Sequence, residues 1–115
     1  MTAVILHIAR DSDWRAAQEN GAYTACALAT EGFIHASHPR QAIEVANRLF
    51  KGRQDLVLLA IDPAKVSADI REENLEGGHE MYPHIYGALE TAAVVAFAPF
   101  LPEEDGSFRK LSVAC

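Results

Sequence analysis

The sequence predicts a single domain of the α+β class over residues 1–115, and three observations support this prediction. Two stretches with helical spacing of apolar residues lie in the first half of the chain, whereas short apolar stretches typical of strands dominate the second half. The two types do not alternate regularly, as they would in a doubly wound parallel sheet. There is no internal repeat and no low-complexity linker that would divide the chain.

The first strand and the first helix are predicted at the start of the chain. Residues 3–8 are apolar and rich in β-branched side chains, which favours a strand. Asp11 or Ser12 offers a side-chain oxygen that can cap the following helix. We expect this helix to bury Trp14 and to end near Gly21, because glycine readily adopts the left-handed conformation that ends helices.

The second strand leads directly into the longest predicted helix. Residues 32–37 read as a strand, and the period of two places Phe33, His35 and Ser37 on one face. Pro39 suits the first turn of a helix. Five apolar side chains at helical spacing are expected to form its buried stripe: Ala42, Val45, Ala46, Leu49 and Phe50.

The second half of the chain is expected to consist mainly of strands. Residues 55–61 are nearly all apolar, which predicts a central strand covered on both faces. Residues 68–73 suit an edge strand, and residues 92–98 suit a last, strongly apolar strand. Residues 83–89 are predicted as a short turn or helix, and residues 106–113 as a final edge strand.

The composition argues against several classes of partner. The formal net charge is −6, so phosphate backbones and anionic lipids would be repelled, and we expect neither broad nucleic-acid binding nor membrane binding. A local positive pocket remains compatible with the ten Lys and Arg residues. The N-terminal residues lack the pattern of a signal peptide, and two cysteines do not make a disulfide framework. We therefore expect a cytoplasmic protein.

The histidines are the first candidates for chemistry, and there are five: His7, His35, His38, His79 and His84. Two of them, His7 and His35, lie inside predicted strands. A buried imidazole there must find hydrogen-bond partners or cost about 1–3 kcal/mol for each unpaired group. Each could be a satisfied core histidine or the anchor of a turn. Taken together with the segment described next, they favour a small-molecule pocket.

The segment Glu-Met-Tyr-Pro-His-Ile-Tyr-Gly is dense in polar aromatic side chains. In it, Tyr82, His84 and Tyr86 alternate around Pro83 and precede Gly87. Proline restricts the backbone and glycine allows close approach, as in a loop that is held against a ligand. The alternative is a rigid turn whose side chains tie it to the edge of a sheet.

One carboxylate and one metal-binding alternative complete the candidates. Glu73 ends a charged run and is either a solvated edge residue or a carboxylate that acts on a ribose hydroxyl or an attacking group. A metal site could use His35, His38 and His84. However, His38 precedes a proline at a strand-to-helix junction, and the chain has neither a cysteine pair nor a helical His-Glu-x-x-His pattern. We therefore predict no bound metal.

Several of these segments resemble the domain-of-unknown-function 952 family, and the resemblance covers nearly the whole chain. The most specific are Gly-Phe-Ile-His-Ala-Ser, ending at Ser37, and Tyr-Pro-His-Ile-Tyr-Gly, ending at Gly87. The other matching positions are His7, Trp14, Gly21, Tyr23, Glu73 and Asn74. The family has no established activity that the resemblance could imply.

A wider resemblance is to the tRNA 2′-phosphotransferases. In those enzymes a strand ending in His-x-Ser precedes a helix with a Val-Gly-x-Arg step and an apolar strand ending in Asp. The corresponding segments here are His-Ala-Ser ending at Ser37, Val-Ala-Asn-Arg ending at Arg48, and the strand ending at Asp62. Ala46 replaces the glycine. The resemblance implies an ADP-ribosyltransferase-like fold, in which small antiparallel sheets and two or three helices surround a cleft for NAD.

The same resemblance implies roles at the sugar and the ring of the cofactor. His7 would bind a ribose hydroxyl, and His35 and Ser37 would line the nicotinamide ribose. Tyr23 or Tyr86 would stack on a ring. Such enzymes cleave the bond between ribose and nicotinamide through an oxocarbenium-like transition state, much as glycosidases do.

Roles at the acceptor and the phosphates follow in the same way. His84 or Glu73 would orient the acceptor, and Arg48 would meet a phosphate. The alternative for Arg48 is a surface ion pair with Glu44 one helical turn earlier.

The sequence leaves three functions open. The first is a protein that binds NAD or a related ADP-ribose nucleotide, with or without ADP-ribosyl or phosphoryl transfer. The second is a non-catalytic module for a nucleotide or small metabolite. The third, which has the least support, is a metal-dependent hydrolase that uses the histidines.

Overall fold

The structure is a computed structural model that describes residues 3–75, 78 and 80–111. In this part of the chain it is an α+β fold with antiparallel sheets, as predicted. The strands are β1 Ile5–Arg10, β2 Ala22–Tyr23, β3 Ile34–His35, β4 Leu56–Ile61, β5 Asp69–Glu73, β6 Tyr82–Tyr86, β7 Leu89–Glu90 and β8 Val94–Phe100. The helices are α1 Asp11–Asn20, α2 Cys26–Glu31 and α3 Pro39–Leu49, with 3-10 turns at Pro63–Lys65 and Thr91–Ala93.

The first sheet has the order β1-β4-β8, and β4 is buried along its whole length. Side chains of β4 alternate between two cores. On one face Leu59 packs in the core that contains Trp14 of α1, and on the other Leu58 packs in the core that contains Ala42 and Ala46 of α3. The prediction of a central strand covered on both faces is confirmed, because helices lie over both sides of it.

The second sheet has the order β3-β6-β5, and its central strand corrects the prediction of a turn or helix over residues 83–89. Proline is unusual in a central strand because it cannot donate to the ladder. Here Pro83 accepts a hydrogen bond from the backbone N–H of Ala36, at a point where β3 has already ended. The missing N–H therefore falls beyond the paired residues of β3, and β6 tolerates the proline.

A β-bridge between Leu6 and Ser37 joins the two larger sheets. The backbone N–H of each residue donates to the carbonyl of the other over 2.7 Å. This bridge extends β3 against the edge of β1 that faces away from β4. It sets His7 of β1 beside His35 of β3.

Several local expectations are wrong. Arg10, not Asp11 or Ser12, precedes α1, and no side chain caps that helix end. Leu49 is 59% exposed, whereas Gln41 is only 1% exposed. The amide of Gln41 donates to the carbonyl of Met81, so α3 uses a polar side chain to hold the segment before β6.

Other differences concern short elements. The pairing of β2 with β7 was not predicted, since two-residue strands leave no periodicity to detect. Residues 106–111 do not form a strand, and the rest of that predicted edge strand lies outside the described residues. His79 also lies outside them.

The outer strand β8 carries apolar side chains on a partly open face. Phe97 is 50% exposed, and its ring lies edge-on to Trp14 at 5.2 Å between centroids. No helix in the described part of the chain has the length and apolar character that crossing a bilayer requires.

The contact between Gly87 and Ala68 gives a test of this fold. A Cβ on Gly87 would lie 2.9 Å from the Cβ of Ala68, which is too close for two carbon atoms. We expect Gly87→Ala to lower the free energy of unfolding by about 1–3 kcal/mol in urea denaturation. Combining it with Ala68→Gly should cost less than the two single variants added together.

The control is Gly78→Ala, because no atom of the described residues, its chain neighbours aside, lies within 4 Å of a Cβ built there. We expect it to change stability by less than about 0.5 kcal/mol. Equal stability of Gly87→Ala and the wild-type protein would contradict the packing of β5 against the end of β6.

Candidate functional site

A cleft of about 430 Å³ lies along the free edge of β1, between the two larger sheets and the C-terminal half of α3. Ile8 and Ala36 form part of its wall. Six of the side chains to which the resemblance assigned a role line it: His7, Tyr23, His35, Ser37, Arg48 and His84. Glu73 and Tyr86 are not in its lining.

His7 is held by two hydrogen bonds inside the wall of the cleft. Its Nδ1 lies 2.5 Å from the carbonyl oxygen of His35, and its Nε2 lies 2.7 Å from the hydroxyl of Tyr23. A carbonyl can only accept, so Nδ1 carries the proton. Nε2 therefore accepts from the Tyr23 hydroxyl, and both ring nitrogens of His7 are engaged.

Burial keeps His7 neutral. Loss of solvent is the largest effect and lowers the pKa of His7 from 6.5 to about 4, although the hydrogen bond to the carbonyl of His35 acts in the opposite direction. A neutral ring is the form that fits this site. His7 thus contributes a fixed, uncharged polar surface, with Tyr23 edge-on to it at 5.1 Å.

A second polar group lies in the sheet β3-β6-β5. Nδ1 of His84 is 3.0 Å from Oε1 of Glu73, and the hydroxyl of Tyr86 donates to the same oxygen over 2.5 Å. The hydrogen bond from Tyr86, followed by that from His84, lowers the pKa of Glu73. Glu73 is therefore an anion at neutral pH, and Nδ1 of His84 is the donor to it.

Aromatic rings surround His84. Phe33 lies 4.4 Å from the His84 ring and 4.8 Å from the His35 ring, between centroids. The ring of His35 stands edge-on to His84 at 5.5 Å. The side chain of His84 is only 3% exposed. The rings of Phe33, His35 and His84 thus form one layer beside the cleft, with His84 fixed within it.

Tyr86 and His38 do not line the cleft. Arg71 sits 4.5 Å above the ring of Tyr86, so this face of the ring is covered. Nε2 of His38 lies 2.8 Å from Glu72 on the opposite side of β5. No three His, Cys, Asp or Glu side chains in the described residues are grouped to hold a metal ion, so the metal-dependent alternative finds no support there.

Three arginines line the other end of the cleft, and sequence reasoning found only Arg48. Arg10 pairs with Asp13, and Arg53 pairs with Asp55. The sequence did contain a signal for Arg10 and Arg53. Arg10 ends the first predicted strand and Arg53 precedes the middle one, and antiparallel pairing of these strands brings the two arginines close together. Tyr82 also lines the cleft and lay in the segment that was singled out.

Most of the chain matches the model of a known family. Residues 8–97 match the model of the family described as protein of unknown function (DUF952). The chain belongs to the DUF952 family. No match was found among curated proteins.

Solved structures of one bacterial protein resemble this DUF952 chain. The crystal structure of protein CC0527 from Caulobacter crescentus is 31% identical, has a TM-score of 0.83 and matches 93% of this chain and 94% of its own. Its solution NMR structure is 32% identical, with a TM-score of 0.80, and matches 92% of this chain and 91% of its own. The likeness extends over nearly the full length of both proteins.

The burial of His7 predicts a dependence of stability on pH. Between pH 6.5 and about 4 the unfolded chain binds a proton at His7 that the folded DUF952 chain does not bind. The stability that the neutral His7 ring contributes is therefore fully present above pH 6.5 and is lost as the pH falls towards 4. This histidine should account for a loss of about 3 kcal/mol over that range.

Urea denaturation of the wild-type protein and of His7→Gln at several pH values tests this expectation. The variant should be less stable at pH 7 but should lose less stability than the wild type as the pH falls towards 4. Identical slopes for the two proteins in this range would show that His7 is not held neutral by the fold.

Proposed function

We propose that this protein binds NAD, or a related nucleotide that contains ADP-ribose, in the cleft along β1. The volume of the cleft suits a small ligand, and apolar walls with a few fixed polar groups are typical of cofactor sites. A net charge of −6 supports a small-molecule ligand rather than a nucleic acid or a membrane. We place this activity in the cytoplasm.

The observation that carries the proposal is the unpaired backbone of Ile8. Leu6 directs its N–H and carbonyl away from β4, towards Ser37, and the period of two gives Ile8 the same direction. Within the described residues no backbone hydrogen bond satisfies either group of Ile8. A donor and an acceptor side by side match a primary carboxamide, such as that of nicotinamide.

The neighbouring side chains suit the sugar. His35 and Ser37 lie in the wall next to His7, and Tyr82 faces the same cleft. A hydroxyl, a half-exposed imidazole and a phenol offer both donors and acceptors to ribose hydroxyls. The neutral His7 keeps this end of the cleft free of a fixed positive charge, which suits a ligand whose nicotinamide ring is itself cationic.

The arginines suit the phosphates. Arg10 follows His7 by three residues, which corresponds to about 10 Å along a strand. Arg48 and Arg53 line the same end. Guanidinium groups bind phosphate oxygens in a bidentate manner, so this end of the cleft favours a diphosphate. A ligand with a neutral amide, a ribose and a diphosphate would span the cleft.

The architecture supports the same proposal. Antiparallel sheets on two sides of a cleft are what the resemblance to the ADP-ribosyltransferase-like fold implies. Transfer of the ADP-ribosyl group would follow from bond cleavage between ribose and nicotinamide. The arginines would then hold the diphosphate, and the side chains around His7 and His35 would hold the nicotinamide ribose.

One observation favours a non-catalytic binding module as the second candidate. Asp13 is the single carboxylate in the described lining of the cleft, and it is paired with Arg10. Glu73 is turned towards His84 and Tyr86 instead. A binding module would be stabilised by NAD without releasing nicotinamide, so the two candidates separate in a simple assay.

Thermal unfolding with NAD and its analogues tests the binding site. Saturating NAD should raise the melting temperature by about 5 °C or more, since a bound ligand stabilises only the folded state. Nicotinic acid adenine dinucleotide, whose carboxylate lacks the amide donor, should bind about tenfold more weakly. Arg48→Gln and Arg53→Gln should weaken NAD and ADP-ribose but leave nicotinamide unaffected.

The matched control is Arg109→Gln. Arg109 is an exposed arginine paired with Asp105 and does not line the cleft, so its replacement should leave NAD binding unchanged. No rise in melting temperature at millimolar NAD would contradict the proposal. Equal binding of NAD and its acid analogue would contradict the role of Ile8.

A further inference from the structure

The Glu73–His84 pair leaves one nitrogen of His84 available. Its Nδ1 is used by Glu73, and Nε2 has no hydrogen-bond partner among the described residues. In the same part of the chain, the one fully buried side-chain nitrogen or oxygen without a partner is Nε1 of Trp14, so Nε2 of His84 is not sealed from solvent. His84 is one of the residues that line the cleft.

We propose that Nε2 of His84 is the proton acceptor for a hydroxyl group that attacks the ligand in the cleft, with Glu73 as its positioning residue. This inference rests on the proposed nucleotide in the cleft. It adds the class of the acceptor substrate, which is an alcohol or water. The proposal also gives Tyr86 a role, because its hydroxyl fixes the carboxylate of Glu73.

The tautomer of His84 is what makes it a base. An ionised carboxylate only accepts, so it draws the single proton of the neutral ring to Nδ1 and leaves the lone pair on Nε2. The same carboxylate stabilises the imidazolium that forms when Nε2 takes a proton. Contacts with Phe33 and His35 prevent the ring from turning away.

The step is balanced in atoms and electrons. The hydroxyl oxygen forms a bond to C1 of the ribose while the bond from C1 to the nicotinamide nitrogen breaks. The electron pair of the broken bond stays on that nitrogen and neutralises its positive charge, so nicotinamide leaves uncharged. The proton of the hydroxyl group moves to Nε2 of His84 and then to water.

Comparison with the other described histidines shows why His84 is the candidate. His7 has both nitrogens engaged, by the carbonyl of His35 and the hydroxyl of Tyr23. His38 is paired with Glu72 but does not line the cleft. His35 also lines the cleft and pairs through Nε2 with a carboxylate, Glu31, but its side chain is 40% exposed and that pair lies in solvent. The side chain of His84 is only 3% exposed, so its pair with Glu73 is the one shielded from water.

The position of the proton can be measured without any ligand. Nitrogen-15 NMR of the wild-type protein above pH 7 should show the proton of His84 on Nδ1. In Glu73→Gln the preference for this tautomer should be lost or reduced. Glu72→Gln is the matched control, because it removes the neighbouring carboxylate that pairs with His38, and it should leave the signals of His84 unchanged.

The chemical step is measured as nicotinamide release from NAD, with methanol as the hydroxyl acceptor. We expect His84→Gln to lower kcat about 100-fold with little change in KM, and Glu73→Gln to lower it at least about tenfold. Glu73→Asp, which keeps a carboxylate, should retain more activity than Glu73→Gln. Glu72→Gln should match the wild type. Stabilisation by NAD in each variant shows that it is folded and binds.

The outcomes separate this inference from the proposed function. A rise in melting temperature with NAD, but no nicotinamide release by the wild-type protein in methanol, would overturn the inference and leave nucleotide binding in place. A proton on Nε2 of His84 would overturn it as well. Absence of any stabilisation by NAD would overturn both.

Discussion

The β-bridge between Leu6 and Ser37 is the interaction on which the rest of the site depends. Two backbone hydrogen bonds align the edge of one sheet with the end of a strand from the other. This alignment lets the carbonyl of His35 hold His7, and it creates the cleft where the bridge ends and the edge of β1 becomes free. Because only backbone groups form the bridge, side-chain identity at its two residues matters less than the extended conformation that brings them together.

Two histidines at the cleft lie in opposite electrostatic environments. His7 is desolvated and held neutral by a carbonyl and a phenol, whereas His84 faces an ionised carboxylate. In each ring a hydrogen bond from Nδ1 to an acceptor oxygen fixes the tautomer. An acidic chain thus builds a region with neutral polar groups at one end and guanidinium groups at the other, so charge varies along the cleft rather than across it.

Sequence reasoning predicted the fold class, the central strand and the two strands that carry His7 and His35, because long apolar stretches have a clear period. It missed β6, since the bias of proline against central strands concealed the role of Pro83. It also placed Leu49 inside and overlooked Gln41, because a buried amide is recognised only by its tertiary partners. For the site, the sequence singled out residues that line the cleft but could not show that Glu73 faces His84 rather than the cleft.

Side chains alternate between the two sides of the sheet along β5, and this limits how the sequence of related chains can change there. Adjacent carboxylates on one strand, Glu72 and Glu73, serve histidines on opposite sides of the sheet, His38 and His84. Loss or gain of a single residue within β5 would exchange the two sides and separate both pairs at once. Length changes among related chains are therefore compatible with both histidine–carboxylate pairs only outside this strand. A pair of consecutive acids at this distance from the Pro-His-x-Tyr segment is a more informative mark of the same local arrangement than overall identity.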